Sequence, residues 1–122
     1  MANFLQRLPL FPTAVIGARE SWLKDGKNRK FTIDFLRALN EGQRLAREDA
    51  AVTKRALGKF TRTENDAELQ GTFDFYKDAS SPTLRVVEKS MANALKFVEH
   101  PKAKGADVKQ FYDNNFVEEA MK

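Results

Sequence analysis

The sequence predicts a mainly α fold, with one short N-terminal strand followed by five or six helices. Three observations carry that expectation. From Phe31 onward the apolar residues recur at helical spacing, short polar residues stand before several of these stretches where they can cap exposed amides, and only residues 13–18 combine small and β-branched residues in a strand-like run.

Pro9 and Pro12 favour an extended entry into Thr13–Ala18, so the strand is placed there. A lone strand leaves its amides and carbonyls without partners, and something must pair with it: residues 4–8, another copy of the chain, or a further segment. Arg19–Asp25 then turns helical, with Ser21 as a cap and Gly26 as a left-handed terminator. A helix over 31–47 follows, with Thr32 as N-cap and Phe31, Phe35, Leu36, Leu39 and Leu45 near one stripe. The next helix is expected over 49–60, where Val52, Ala56 and Phe60 share a face with Leu57 beside them.

Asn65 or Thr63 can start a helix over 65–78, because a small oxygen acceptor satisfies the first amides and Asp66 and Glu68 complement the positive helix end. Leu69, Phe73 and Tyr76 form its inner stripe, and Gly71 would permit close approach of a neighbouring helix. Ser81 and Pro82 together read as a helix start, since proline suits the first position where no amide donor is needed. That helix is expected over 82–99, burying Leu84, Val87, Met91, Leu95 and Val98, and ending at His100-Pro101. Asp107 caps a final helical stretch over 107–121 carrying Val108, Phe111, Phe116 and Val117. Residues 1–122 are read as one domain or one domain fragment, with no internal repeat.

Composition excludes several chemistries. The 122 residues contain no cysteine and one histidine, so there is neither a disulfide framework nor a thiolate or multi-histidine metal site, and no cofactor is expected. The longest apolar run is far too short to span a bilayer. The first residues, with Arg7 placed after apolar Phe4 and Leu5, do not form an export signal. The net charge of +4 is unevenly spread: Arg19–Arg62 holds twelve basic and six acidic residues, whereas Thr63–Ser81 holds one lysine and five acids. This polarised surface does not favour nucleic acid, because Lys27, Arg29 and Lys30 lack interleaved aromatics or a recognition motif.

Single residues that could bear chemistry have simpler structural roles. Arg19 could face an anion but is expected at a surface strand end, and Trp22 could stack on a ligand but is expected as a core anchor. Glu118 and Glu119, like Glu64, Asp66 and Glu68, lack the opposed pocket geometry of an acid/base pair. His100 suits a helix C-terminus as a cation, and Asp113-Asn-Asn115 is a capping and turn element. No catalytic residue is assigned, and the chain is not expected to be an enzyme.

Three strings taken together, TAVIGARESWLK at 13–24, FLRALNEGQRLA at 35–46 and ALGKFTRT at 56–63, resemble the C-terminal part of solute-binding proteins of the nitrate/sulfonate/taurine class of ABC importers. Asp66–Tyr76, Pro82–Leu84 and QFYDNNFV at 110–117 follow in the same order, so the resemblance runs from Thr13 nearly to the end. It implies the tail of a two-lobed α/β receptor of the type II periplasmic-binding fold, closing around a small organic or inorganic anion and delivering it to an ABC permease. The strand and helices would belong to the return from the second lobe to the first. Phe11 and Thr13, at the point resembling the hinge return, are carried over as ligand neighbours. In that context the protein is periplasmic, or extracellular and lipid-anchored, and this segment alone binds ligand weakly. The alternative is a cytoplasmic, stand-alone helical module that self-associates through its strand or helix faces.

Overall fold

The computed structural model describes residues 10–12 and 14–122. It is mainly helical. Six α-helices occur among the described residues: α1 (Glu20–Leu23), α2 (Gly26–Glu48), α3 (Ala50–Thr61), α4 (Asp66–Ala79), α5 (Glu88–Lys96) and α6 (Asn115–Ala120), with 3-10 turns at Pro101–Ala103 and Val108–Phe111. The expected strand is not among the described elements. Residues 14–18 are exposed and have no regular secondary structure, and no strand elsewhere among the described residues offers them a ladder; Thr13 lies outside the described residues.

The chain divides into two compact units, one of residues 1–34 and 85–122 and the other of residues 35–84. Helix α2 contributes residues 26–34 to the first and 35–48 to the second.

In the unit of residues 35–84, local signals set the helix ends. Asp49 accepts from the Val52 amide and Asn65 from the amides of Ala67 and Glu68, so both helices following α2 begin on a side-chain cap. Helices α3 and α4 pack against each other through a tight connection, in which Arg62 takes the left-handed conformation with φ 57° and ψ 37°. A non-glycine residue held there costs about 1 kcal/mol or more. The close approach expected at Gly71 is made at Gly58 instead. A Cβ at Gly71 would meet nothing within 4 Å, whereas one at Gly58 would sit 3.0 Å from the Thr63 carbonyl oxygen and 3.6 Å from Leu69 Cδ1. Leu36, Thr53 and Phe73 are buried, and the Thr53 hydroxyl donates to the Ala46 carbonyl at 3.2 Å.

Four expectations along the chain give way to specific contacts. Gly26 opens α2 rather than ending α1, because Asp25 Oδ1 accepts from the Lys27 amide at 2.8 Å and the Asn28 amide at 3.2 Å and so caps the new helix. Ser21 does not cap: Arg19 precedes α1 without a side-chain cap bond. Thr32 lies inside α2, its hydroxyl donating back to the Asn28 carbonyl at 2.9 Å. The helix expected from Pro82 starts only at Glu88. Ser81 Oγ closes a local turn instead, donating to the Thr83 carbonyl at 2.8 Å and accepting from the Thr83 amide at 3.3 Å, while Gln43 Nε2 holds the Ser81 carbonyl at 2.7 Å.

The buried stripe of α2 is also rotated from its expected position. Ile33 and Leu36 are buried, whereas Phe31, Phe35 and Leu45 are exposed.

In the other unit, Ile33, Val117 and Ala120 are buried together with the polar Ser90 and Asn93. The expected stripe of 82–99 is only partly inside: Met91 and Leu95 are half-buried, while Val87 and Val98 are exposed. The expected helix over 107–121 is interrupted. Asp107 Oδ1 caps a 3-10 turn by accepting from the Lys109 amide, Tyr112 is extended at φ −149° and ψ 154°, and α6 begins at Asn115.

Candidate functional site

Among the described residues, the unit that includes residues 85–122 is fastened by side chains that bridge residues far apart in sequence. Asn114 is the clearest example. Its Oδ1 accepts from the Val86 amide at 2.8 Å and its Nδ2 donates to the Val86 carbonyl at 3.0 Å, so one carboxamide imitates the neighbouring strand that Val86 lacks. Sequence reasoning placed Asn114 in a local turn, and only Asp113 plays that part, accepting from the Asn115 amide. An asparagine beside other turn formers carries no sequence mark of a partner 28 residues away.

Arginines on either side complete the fastening. Arg29 donates to the Glu119 carboxylate and lies over the Phe116 ring, with its guanidinium carbon 4.7 Å from the ring centre. Arg85 donates to the Glu118 carboxylate. The adjacent acids are thus engaged with separate cations, which is a structural arrangement and not an opposed acid/base pair. Lys30 pairs with Asp34 one turn away, and the basic stretch 27–30 therefore does not present a uniform anion-binding cluster.

Phe11 is half-exposed and meets Phe97 edge to face, with ring centres 5.8 Å apart and planes at 73°. Beside it, the buried Asn93 donates through Nδ2 to the Leu10 carbonyl at 2.9 Å. The Asn93 carboxamide oxygen accepts from Lys96 at 3.4 Å. These contacts dock residues 10–11 on α5. The other carried-over ligand neighbour, Thr13, lies outside the described residues.

Trp22 is 40% exposed rather than a buried anchor, and it meets Phe31 edge to face at 6.1 Å. Arg19 is exposed, its carbonyl accepting from the Trp22 and Leu23 amides. His100 Nδ1 accepts from the Lys102 amide at 3.2 Å, so the ring caps the following 3-10 turn. In the other unit, Asp66 pairs with Lys54 at 2.6 Å, and Glu68 accepts from Asn65 and Thr63. Among the described residues, no group of three or more His, Cys, Asp or Glu side chains is placed to hold a metal ion. No described helix is long and apolar enough to cross a membrane.

One titration is set by this geometry. The Tyr112 hydroxyl donates to Glu88 Oε2 at 2.8 Å, and that bond, with partial desolvation and the neighbouring carboxylate charges of Glu88 and Asp107, holds the phenol above its ordinary value; Arg85 opposes the shift. A raised phenol pKa stabilises the folded chain fully below the unfolded value of about 10, and the contribution is lost as pH rises through the folded value. In ultraviolet titration, Tyr112 is expected to ionise later than a free phenol, and Glu88→Ala should move it back. An unchanged titration in that variant would remove Glu88 as the cause.

The feature that sequence reasoning missed most widely is apolar exposure. Sixteen large apolar side chains are exposed among the described residues, led by Phe60 at 87% and Phe97 at 68%, whereas the buried apolar residues are Ile33, Leu36, Phe73, Val117 and Ala120. Comparison with family models, with curated proteins and with solved structures gives no match.

Proposed function

We propose that the chain is a non-enzymatic helical interaction module whose apolar surface is completed by another polypeptide. The excess of exposed over buried large apolar residues carries this reading. Scattered apolar residues are normal on protein surfaces, but each large side chain left in water forgoes roughly 1.5–3 kcal/mol that burial would supply. The ion pairs of Glu118 and Glu119 and the cap bond of His100 give these three residues structural partners, which supports the non-enzymatic reading. A hydrophobic dye such as ANS should bind the dilute, cooperatively folded protein. A native baseline without dye fluorescence would contradict the reading.

The ordered strings from Thr13 to Val117 support a second reading within the same frame: a segment of an ABC-importer solute-binding receptor for a small anion or related nutrient. The covering polypeptide is then the remainder of that receptor, with the permease as its eventual partner and a periplasmic or lipid-anchored extracellular location. Phe11, packed on Phe97, and Thr13 would neighbour the ligand. Isothermal titration of this chain with nitrate, taurine, alkanesulfonates and bicarbonate should give weak or no heat. Tight binding by these residues alone would contradict the expectation that the pocket needs other segments.

A further inference from the structure

We propose that the outward face of α3 docks α4 of a second copy, antiparallel, so that copies join head to tail. This names a partner for the interaction-module reading and rests on it.

Within the unit of residues 35–84, α3 and α4 touch through Lys54, which pairs with Asp66, and through Gly58, whose backbone lies beside Leu69. On α3, Ala56 stands about 200° round the helix from both Lys54 and Gly58, and Val52, Ala56 and Phe60 form an exposed line there. On α4, Phe75 stands about 180° from Asp66. Gly71, one turn before Phe75, is exposed, and a Cβ built on it would meet nothing within 4 Å. Each helix thus turns a second apolar face away from the other.

The charges beside these faces select the occupant. Helix α3 carries three basic and no acidic residues, and helix α4 carries four acids and one lysine. Arg55 and Lys59 are exposed at the positions one before and three after Ala56; Asp74 and Asp78 are exposed at the same positions relative to Phe75. Lys77 lies about 200° from Phe75 and so outside this face. Two facing antiparallel helices bring equivalent flanks together, whereas two parallel ones bring opposite flanks together. An antiparallel pair of α3 helices would set Arg55 and Lys59 against themselves, and a pair of α4 helices would do the same with the acids. Of these pairings, α3 against α4, antiparallel, is the one that sets bases against acids.

The same arrangement solves the packing. With Phe75 of the second copy level with Ala56, a step of four residues on each helix sets its Gly71 level with Phe60. Each ring therefore meets a small residue. At about 1.5 Å per residue, Arg55 lies about 3 Å along the axis from the levels of Asp74 and Asp78 of the second copy, and Lys59 about 3 Å from that of Asp74. Charge matching and large-against-small packing are separate requirements, and one register meets both.

Because the two docking faces lie on opposite sides of the α3–α4 pair, the contact is heterologous and leaves one face open at each end of a growing row. Sedimentation should therefore show reversible species that continue beyond the dimer as concentration rises. Arg55→Glu with Lys59→Glu should weaken association about tenfold or more, and adding Asp74→Lys with Asp78→Lys should restore it. That double variant keeps its α4 face, and Phe75→Glu keeps its α3 face. At concentrations where the parent associates, neither should associate alone, yet an equimolar mixture should form a 1:1 pair and stop there. A parent that stops at a dimer, or a mixture that stays monomeric, would overturn the pairing of α3 with α4. A monomeric parent that still binds ANS would overturn self-association and leave the module reading in place, and a monomeric parent that binds no dye would overturn both.

Discussion

Replacing Phe73 with alanine should remove about 3–5 kcal/mol from the unit of residues 35–84. Phe73 is 6% exposed on α4 and is the largest buried apolar side chain in that unit, which otherwise buries Leu36 and Thr53. Truncation loses the transfer energy of the ring and leaves a cavity that the short helices around it only partly close. A body of about fifty residues has roughly 3–7 kcal/mol to lose. The variant should therefore lose most or all of the cooperative unfolding of α3 and α4, read by circular dichroism in denaturant. The neighbouring Phe75 is 61% exposed, and its alanine variant should remain within about 1 kcal/mol of the parent. Equal losses at the two positions would mean that α4 does not bury the face described.

Asn114→Ala should cost about 2 kcal/mol, the second largest effect among these substitutions. The change removes both hydrogen bonds to Val86 and leaves a part-buried amide and carbonyl with water as their only substitute. Asn114→Asp separates the two bonds. Its carboxylate can still accept from the Val86 amide, but it places negative oxygen against the Val86 carbonyl where a donor is required. Hydrogen exchange at Val86 should accelerate in the alanine variant and stay slow in the aspartate variant, although both variants lose stability. Unchanged exchange at Val86 in the alanine variant would show that the carboxamide does not hold this segment.

These two residues mark what the sequence makes legible. Phe73 sits at helical spacing from Leu69 and Tyr76, behind an Asn65 cap whose meaning is local, and α4 lies within one residue of its expected bounds at each end. The bounds of helix α3 are equally readable, but its expected apolar face is not: Val52, Ala56 and Phe60 are exposed and Thr53 is buried instead. Asn114 is different. Its partner is Val86, and the pairing keeps residues before Glu88 extended where Ser81 and Pro82 favour a helix start. A cap signal establishes that a helix can begin at a residue; contacts distant in sequence decide whether it does.

Rotation of the α2 stripe has a similar origin. Phe31, Phe35 and Leu45 are the bulky residues on the helix and suggest an inward face, yet Ile33 and Leu36 take that place. On a long helix with apolar residues on two sides, periodicity gives the period without choosing the phase. The candidate surface was therefore present in the sequence as an apparent core stripe. Phe11 was legible as an aromatic near the chain start, but its contact with Phe97 was not, because nothing local connects residues so far apart.

The central claim is that the apolar surface of this chain is completed by a further polypeptide, in the first instance a second copy. Only the folded chain carries this surface, so association stabilises the fold by mass action. Thermal unfolding measured across about two decades of protein concentration tests this most directly. The account predicts a midpoint that rises with concentration. A midpoint independent of concentration, with reversible unfolding and a monomer throughout, would contradict it.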